Sequence, residues 1–152
     1  MSQGDKLKSM KQDEISLIDS DDMRSLESED ALQRSLDIQL ACAKVGFDWP
    51  EVHPVFEKVL EEVDEVKDEV YNDQPEPAKI EDELGDLLFA VVNLCRHLDV
   101  HPETALNNAS DKFVHRFELV KSFALNENLV LEKLNIDELE LLWQKAKKHI
   151  IE

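Results

Sequence analysis

An all-α fold, an antiparallel helical bundle of about five helices, is what this sequence predicts, and three observations predict it. The 152 residues include only three glycines. Leu, Val, Glu and Lys recur throughout, and apart from Val all are strong helix formers. Apolar residues return at the 3.6-residue period over stretches much longer than a strand. At this length a single domain can bury a real core.

Residues 1–28 are rich in Ser, Asp and Lys, with one short apolar patch at Ile15, Leu17 and Ile18. This segment is expected to be a flexible acidic tail, leaving 29–152 as the folded domain. A first helix is expected from about Ser28 to Val45, with Leu32, Leu36, Gln39, Leu40 and Ala43 on its apolar face. Gly46 stops it, as glycine does just past a helix C-terminus. Phe47-Asp48-Trp49-Pro50 then makes a compact aromatic loop, in which Trp49 is expected to cap the core rather than stack on a base.

Pro50 is placed to open a second helix over about 51–72. Its apolar stripe is Val52, Val55, Phe56, Val59, Val63, Val66 and Val70. Asn72 to Pro77, with two prolines, is a turn. A third helix covers about Pro77 to Leu98, with a stripe of Ile80, Leu84, Leu87, Leu88, Val91, Cys95 and Leu98. After a break at Asp99–His101, a fourth helix runs from about Pro102 to Leu125, with Leu106, Ala109, Phe113, Phe117 and Val120 on its buried face. A loop over 126–135 leads to Asn135-Ile136-Asp137-Glu138, a capping-box pattern. It opens a last helix to about Ile150, in which Trp143 lies among Leu139, Leu142 and Ala146. Lys145, Lys147 and Lys148 suit its C-terminal end.

Thirty-five acids against 17 Lys and Arg give a formal net charge of -18. Such a surface repels nucleic-acid backbones and anionic membranes, so neither is an expected partner. A small phosphorylated ligand still binds where metal ions offset the charge locally. No apolar run approaches the length of a membrane span, and the first residues lack the apolar region of a signal peptide. A cytoplasmic protein is expected. Cys42 and Cys95 show no metal-ligand or redox spacing and read as reduced core residues.

Two acidic phrases carry the chemistry. Lys58-Val59-Leu60-Glu61-Glu62-Val63-Asp64-Glu65 and Lys79-Ile80-Glu81-Asp82-Glu83-Leu84-Gly85-Asp86 lie 21 residues apart and share a spacing of Lys, Glu and a second acid. Acids three apart project from one side of a helix, so Glu62 with Glu65, and Glu83 with Asp86, each form a two-carboxylate claw. At about 100° per residue, both claws fall on the same-sense flank of their apolar stripes. Antiparallel neighbours sharing one core turn such flanks toward each other. Together the four carboxylates offer enough hard oxygen for Mg²⁺. The plain alternative is a solvated acidic face. The repeated spacing argues against it, as does Gly85, which weakens a helix interior by about 1 kcal/mol relative to Ala and suggests close backbone approach beside the claw. On the fourth helix, Lys112 and Arg116 stand four apart, as a phosphate clamp or as a surface pair bridged to the acidic helices.

These residues resemble the MazG-type nucleoside triphosphate pyrophosphohydrolases of the all-α NTP pyrophosphatase superfamily, specifically their C-terminal catalytic domain. Besides the two acidic phrases, the resemblance rests on Val45-Gly46-Phe47-Asp48-Trp49, on Val92-Asn93-Leu94-Cys95-Arg96-His97-Leu98, on Lys112-Phe113-Val114-His115-Arg116-Phe117 and on Trp143-Gln144. It covers about residues 31–148. It implies hydrolysis of a nucleoside triphosphate between the α and β phosphorus atoms, giving nucleoside monophosphate and diphosphate, a house-cleaning of nucleotide pools. It implies that Glu62, Glu65, Glu83 and Asp86 hold Mg²⁺, with Mn²⁺ as a possible substitute, and that Lys58, Glu61, Lys79, Asp82, Lys112, Arg116 and Trp143 contact the nucleotide. It also implies a homodimer. Glu61, beside the claw, is the candidate for orienting or deprotonating the attacking water. His115 stands where Arg is common, and Leu36 and Asp37 replace polar and basic residues on the first helix, which bears on base preference. Two other functions compete: a catalytically silent helical dimerisation module, and a narrower dUTP or dCTP pyrophosphatase.

Overall fold

A computed structural model describes residues 30–151, with the side chains of 150 and 151 excepted. The expected tail over 1–28 and the helix start at Ser28 lie outside these residues. The described chain is all-α: α1 (Ala31–Lys44), α2 (His53–Val70), α3 (Pro77–His97), α4 (Pro102–Asn126) and α5 (Ile136–Ile151), with a 3₁₀ turn at Leu131–Lys133. It divides into two compact units, one ending at Glu103 and the other beginning at Thr104.

Helix starts follow local chemistry. Asp30 caps α1, its side chain accepting from the backbone N–H of Leu32 at 2.9 Å. At α5 the capping box closes both ways: the Asn135 side chain accepts from the Glu138 N–H, and the Glu138 carboxylate accepts from the Asn135 N–H, each at 2.9 Å. The second helix departs from expectation. It begins at His53, and the proline in its first turn is Pro54 rather than Pro50. Pro50 instead lies in the connecting loop, where its lack of an N–H costs no helical hydrogen bond.

Three helices end alike. Gly46 (φ +85°), Asp99 (φ +54°) and Asn128 (φ +54°) take the left-handed conformation. The next residue's N–H then reaches back to a carbonyl of the last turn: Phe47 to Cys42 at 3.1 Å, Val100 to Cys95 at 2.9 Å and Leu129 to Ala124 at 2.8 Å. This six-to-one bond satisfies an orphan carbonyl and turns the chain sharply. Only Gly46 is free of the Cβ penalty; Asp and Asn tolerate the region best among the rest.

In the first unit α2 and α3 pack along each other as a hairpin across the 71–76 turn, and α1 packs on α3. Its buried apolar residues are Leu36, Val55, Ala90 and Val92. The stripes predicted for α2 and α3 are only partly covered: Phe56, Leu84, Leu88 and Val91 are exposed, Leu88 by 63%. The periodicity located an apolar face correctly, but much of that face lacks a partner within the described residues. In the second unit the core is Val120, Ala124, Leu142 and Ala146, with Leu119, Phe123, Leu131, Leu134 and Trp143 against it. Leu106, Phe113 and Phe117, expected in the core, are exposed, because the core of this unit gathers at the C-terminal half of α4. Trp49 is a further correction, being half exposed in its loop instead of capping the core.

Gly85 does not sit at a close approach either. A Cβ added there meets nothing within 4 Å among the described residues, and the residue is exposed inside α3. Gly85→Ala is therefore expected to stabilise the chain by about 0.5–1 kcal/mol through lower unfolded-state entropy, measured by urea unfolding without metal. A loss of stability would mean that something covers this spot in solution.

Candidate functional site

The α2–α3 hairpin brings three of the four predicted claw acids together. Carboxylate oxygens of Glu62, Glu83 and Asp86 lie within 4.8 Å of one another. Glu62 is 6% exposed, so a charged group is held almost out of solvent, which is rare for glutamate unless it is paired. Its partner is Lys58, one turn earlier, whose Nζ lies 2.7 Å from Glu62 Oε1 and 3.3 Å from Glu61 Oε2. The Lys58 ammonium is held above its ordinary pKa by the hydrogen bond to Glu62. It supplies the positive charge that this acidic corner needs.

The compensation is incomplete. Partial desolvation, followed by the charges of Glu65, Asp86, Glu62 and Asp82, raises the Glu83 carboxyl above its ordinary value. One ammonium thus stands against at least four nearby carboxylates. Two or three hard oxygens converging from adjacent helices, with excess negative charge, fit a divalent cation with oxygen preference, and this cluster could hold one. Glu65 is exposed and joins through its charge on Glu83 rather than through the close group of three.

The other predicted residues are placed less uniformly. Glu61 is exposed and paired with Lys58. Lys79 turns back along its own helix start to Glu76, at 2.6 Å, and is exposed. Asp82 is exposed and acts on Glu83 only through its charge. Arg116 and Trp143 meet within the second unit, while Lys112 is exposed one turn before Arg116 on α4. The Arg116 guanidinium lies over the Trp143 ring at 5.9 Å from the ring centre, and Phe113 leans on the same indole at 5.0 Å. Arg116 Nε is buried without a hydrogen-bond partner among the described residues. Neither Lys112 nor Arg116 makes an ion pair among the described residues.

Sequence reasoning did not anticipate a cleft of about 680 Å³ that opens from the acidic corner. Lys58, Glu62 and Asp86 line one part; Gln39, Phe47, Asp48, Trp49, Asn93 and Arg96 line others. A tight polar knot fixes the Phe47–Trp49 loop over it. Arg96 donates twice to Asp48, at 2.9 and 2.6 Å, and twice to the Asn93 side-chain oxygen, at 3.1 and 2.7 Å. His97 Nε2 lies 2.9 Å from Asp48 Oδ1. The Arg96 hydrogen bond, against some desolvation, and the His97 contact hold the Asp48 carboxyl down at about 2. Asn93 and Arg96 follow Asp86 by seven and ten residues, two and three turns along the same side of α3. That spacing was available in the sequence as a signal.

Residues 51–120 match the family model described as the MazG nucleotide pyrophosphohydrolase domain. A nucleoside triphosphate pyrophosphohydrolase of Escherichia coli (strain K12) is 43% identical over 122 residues, covering 80% of this chain and 46% of the relative. The nucleoside triphosphate pyrophosphohydrolase/pyrophosphatase MazG of Thermotoga maritima is 44% identical over 117 residues, covering 77% and 44%. The chain thus spans less than half the length of these curated relatives.

Proposed function

Since residues 51–120 carry a MazG nucleotide pyrophosphohydrolase domain, we propose that the protein hydrolyses nucleoside triphosphates to nucleoside monophosphate and diphosphate. One observation carries the reading: Glu62, Glu83 and Asp86 converge from two helices beside a cleft large enough for a nucleotide.

Glu62, Glu83, Asp86 and the nearby Glu65 would hold Mg²⁺, or Mn²⁺ in its place. Such an ion supplies Lewis-acid polarisation of a phosphate and acidification of water. The residues' own work is distinct from this. Lys58, ion-paired to both Glu61 and Glu62, holds the α2 acids in register and offers its remaining donors to a phosphate oxygen. Glu61, exposed beside that pair, is placed to orient or deprotonate a water. Lys79 leaves its solvent-exposed pairing with Glu76 at little cost, since such pairs contribute about 0–1 kcal/mol. Lys79 and Asp82, near the start of α3, are proposed as further nucleotide contacts on the strength of the resemblance. For Lys112, Arg116 and Trp143 it is the resemblance alone that supports nucleotide contacts, the first two as donors to the diphosphate and the third as an aromatic face.

A homodimer accompanies this reading. The exposed row of Phe56, Leu84, Leu88 and Val91 on α2 and α3 is the kind of apolar surface that a second copy covers. The folded domain is assigned to 29–152, preceded by an acidic tail. No described helix is long and apolar enough to cross a membrane; a cytoplasmic setting belongs to the same reading, and the net charge of -18 disfavours anionic membranes and nucleic acid as partners.

The expected result with mixed nucleoside triphosphates and Mg²⁺ is monophosphate and diphosphate in equal amounts, resolved by anion exchange. No release overturns the reading and leaves the dimerisation module, whereas release of single phosphate overturns it in favour of a different hydrolase. A panel of separate substrates tests the narrower alternative of dUTP or dCTP.

A further inference from the structure

Three kinds of surface meet in the cleft beside the acidic corner, and one kind of group suits them all. The first is a buried acceptor. Gln39 is 6% exposed on the packed face of α1. Its Nε2 donates to the Phe89 carbonyl at 2.9 Å. Its Oε1 is buried with no hydrogen-bond partner among the described residues, on a side chain that lines the cleft. A carbonyl oxygen taken out of water without a donor is costly and calls for one.

The second surface is carboxylate in excess. Glu62 and Asp86 line the cleft, with a Glu83 oxygen within 4.8 Å of theirs. Two cations line it as well, but each is engaged close by: Lys58 lies 2.7 Å from Glu62, and Arg96 donates twice to Asp48. Asp86 makes no ion pair among the described residues. The third is aromatic. Phe47 is 80% exposed and Trp49 51%, both at the cleft, and among the described residues no cation lies over either ring. An N–H answers the first surface, positive charge the second, and a cation on an apolar stem the third. A primary ammonium on an aliphatic chain is all of these at once. A buried water answers Gln39 alone, and a hydrated divalent ion answers the carboxylates alone.

We propose that this cleft is a binding site for a linear aliphatic polyamine. One ammonium pairs with the Glu62–Asp86 corner, another donates to Gln39 Oε1 beside Trp49, and the methylenes between them lie along the cleft, whose volume of about 680 Å³ accommodates such a chain. Polyamine and divalent ion compete for the same carboxylates, which makes the amine an inhibitor of the proposed hydrolysis. That consequence rests on the hydrolase reading; the binding itself does not.

The metal-free full chain is titrated with spermidine by calorimetry at fixed ionic strength, with 1-aminobutane as the single-charge control. A single spermidine per chain is expected, bound roughly tenfold or more tighter than 1-aminobutane, the scale of one further hydrogen bond to a charged group. Gln39→Leu is expected to weaken spermidine roughly tenfold for the same reason. Trp49→Ala is expected to weaken it roughly two- to fivefold, the scale of a half-exposed cation–π contact. Mg²⁺ raises the apparent Kd in proportion to its concentration. Thermal melting checks the fold of each variant, and where Gln39→Leu does not fold, Trp49→Ala and the Mg²⁺ competition decide. Several spermidines per chain, held equally by wild type and variants, are counter-ions drawn to a charge of -18 and overturn the proposal. An affinity that Mg²⁺ leaves unchanged, or one no tighter than that of 1-aminobutane, overturns it too. No nucleotide is present in these titrations, so such results leave the hydrolase intact. Spermidine bound as expected by a chain that releases no monophosphate keeps this site and sinks the hydrolase.

Discussion

Glu62→Ala is expected to lower the release of nucleoside monophosphate by roughly 10²–10³-fold, the scale on which removing one preorganised electrostatic contact to a developing charge acts. The argument rests on its place in the hairpin. Glu62 is the most buried member of the acidic corner, so its oxygen is the one least able to exchange with a water. Its loss takes one ligand from a group of three, and at the same time frees Lys58 from its 2.7 Å contact. The ammonium, left with only its 3.3 Å contact to Glu61, then stands beside the carboxylates proposed to hold a cation. Glu62→Gln keeps the volume and separates charge from packing. It is expected to lose nearly as much activity, because a neutral amide oxygen is a weaker ligand for a hard ion than a carboxylate.

The same variants make a prediction that does not depend on turnover. Carboxylates crowded as Glu62, Glu83 and Asp86 are repel one another, with the rise in the Glu83 pKa as its mark. Binding a divalent ion relieves that repulsion only in the folded state. At 100-fold excess over Kd this contributes about 2.7 kcal/mol, or roughly 5–10 °C in Tm at this size. Mg²⁺ is expected to raise the melting temperature of the wild type and to leave Glu62→Ala almost unmoved. An equal shift in both proteins would place the ion elsewhere. Because Glu83 holds its proton to higher pH than an ordinary carboxyl, the metal effect should weaken as pH falls through that raised value.

The helical plan was legible because it depends on local rules. Pro77, Pro102 and the Asn135–Glu138 box mark helix starts by what they do to a single turn, and Gly46 marks an end by its tolerance of positive φ; all four stand where expected. The convergence of Glu62 with Glu83 and Asp86 was legible for a similar reason, since helical angle and antiparallel packing suffice to aim the flanks. What was not legible depends on which surfaces meet. Periodicity marks Leu88 and Phe113 as apolar without saying what covers them, and both are exposed. Trp49 was misjudged because a loop tryptophan is an anchor only if something stands over it. Gln39 carried a weak signal, a polar residue inside an apolar stripe. One end of its amide is bound to Phe89, and the other is buried with no hydrogen-bond partner among the described residues. Side chains such as Lys79, long and exposed, report the nearest acid rather than a function.

Asp48 gives the second large effect, and it is one of stability against pH. Its carboxyl is held at about 2, against an ordinary 3.8, by the Arg96 hydrogen bond first and by His97 with it. A carboxyl with a depressed folded-state pKa binds its proton more readily in the unfolded chain. Its stabilisation is therefore fully present above about pH 4 and is lost as pH falls from there toward 2. Allowing for solvent screening of a loop carboxylate, the contribution is roughly 1–2 kcal/mol. Asp48→Asn is expected to be less stable than wild type by about that amount at neutral pH, and the two curves should converge near pH 2. A gap that stays constant down to pH 2 would show that shape, and not charge, holds the knot. Arg96→Ala should cost more than Asp48→Asn, because it also releases the Asn93 oxygen and leaves Asp48 with only His97 and the Trp49 N–H. With that anchor gone, Phe47 and Trp49 lose their fixed place at the cleft, and on the proposed function KM rises more than kcat falls, since the acids of α2 and α3 are untouched.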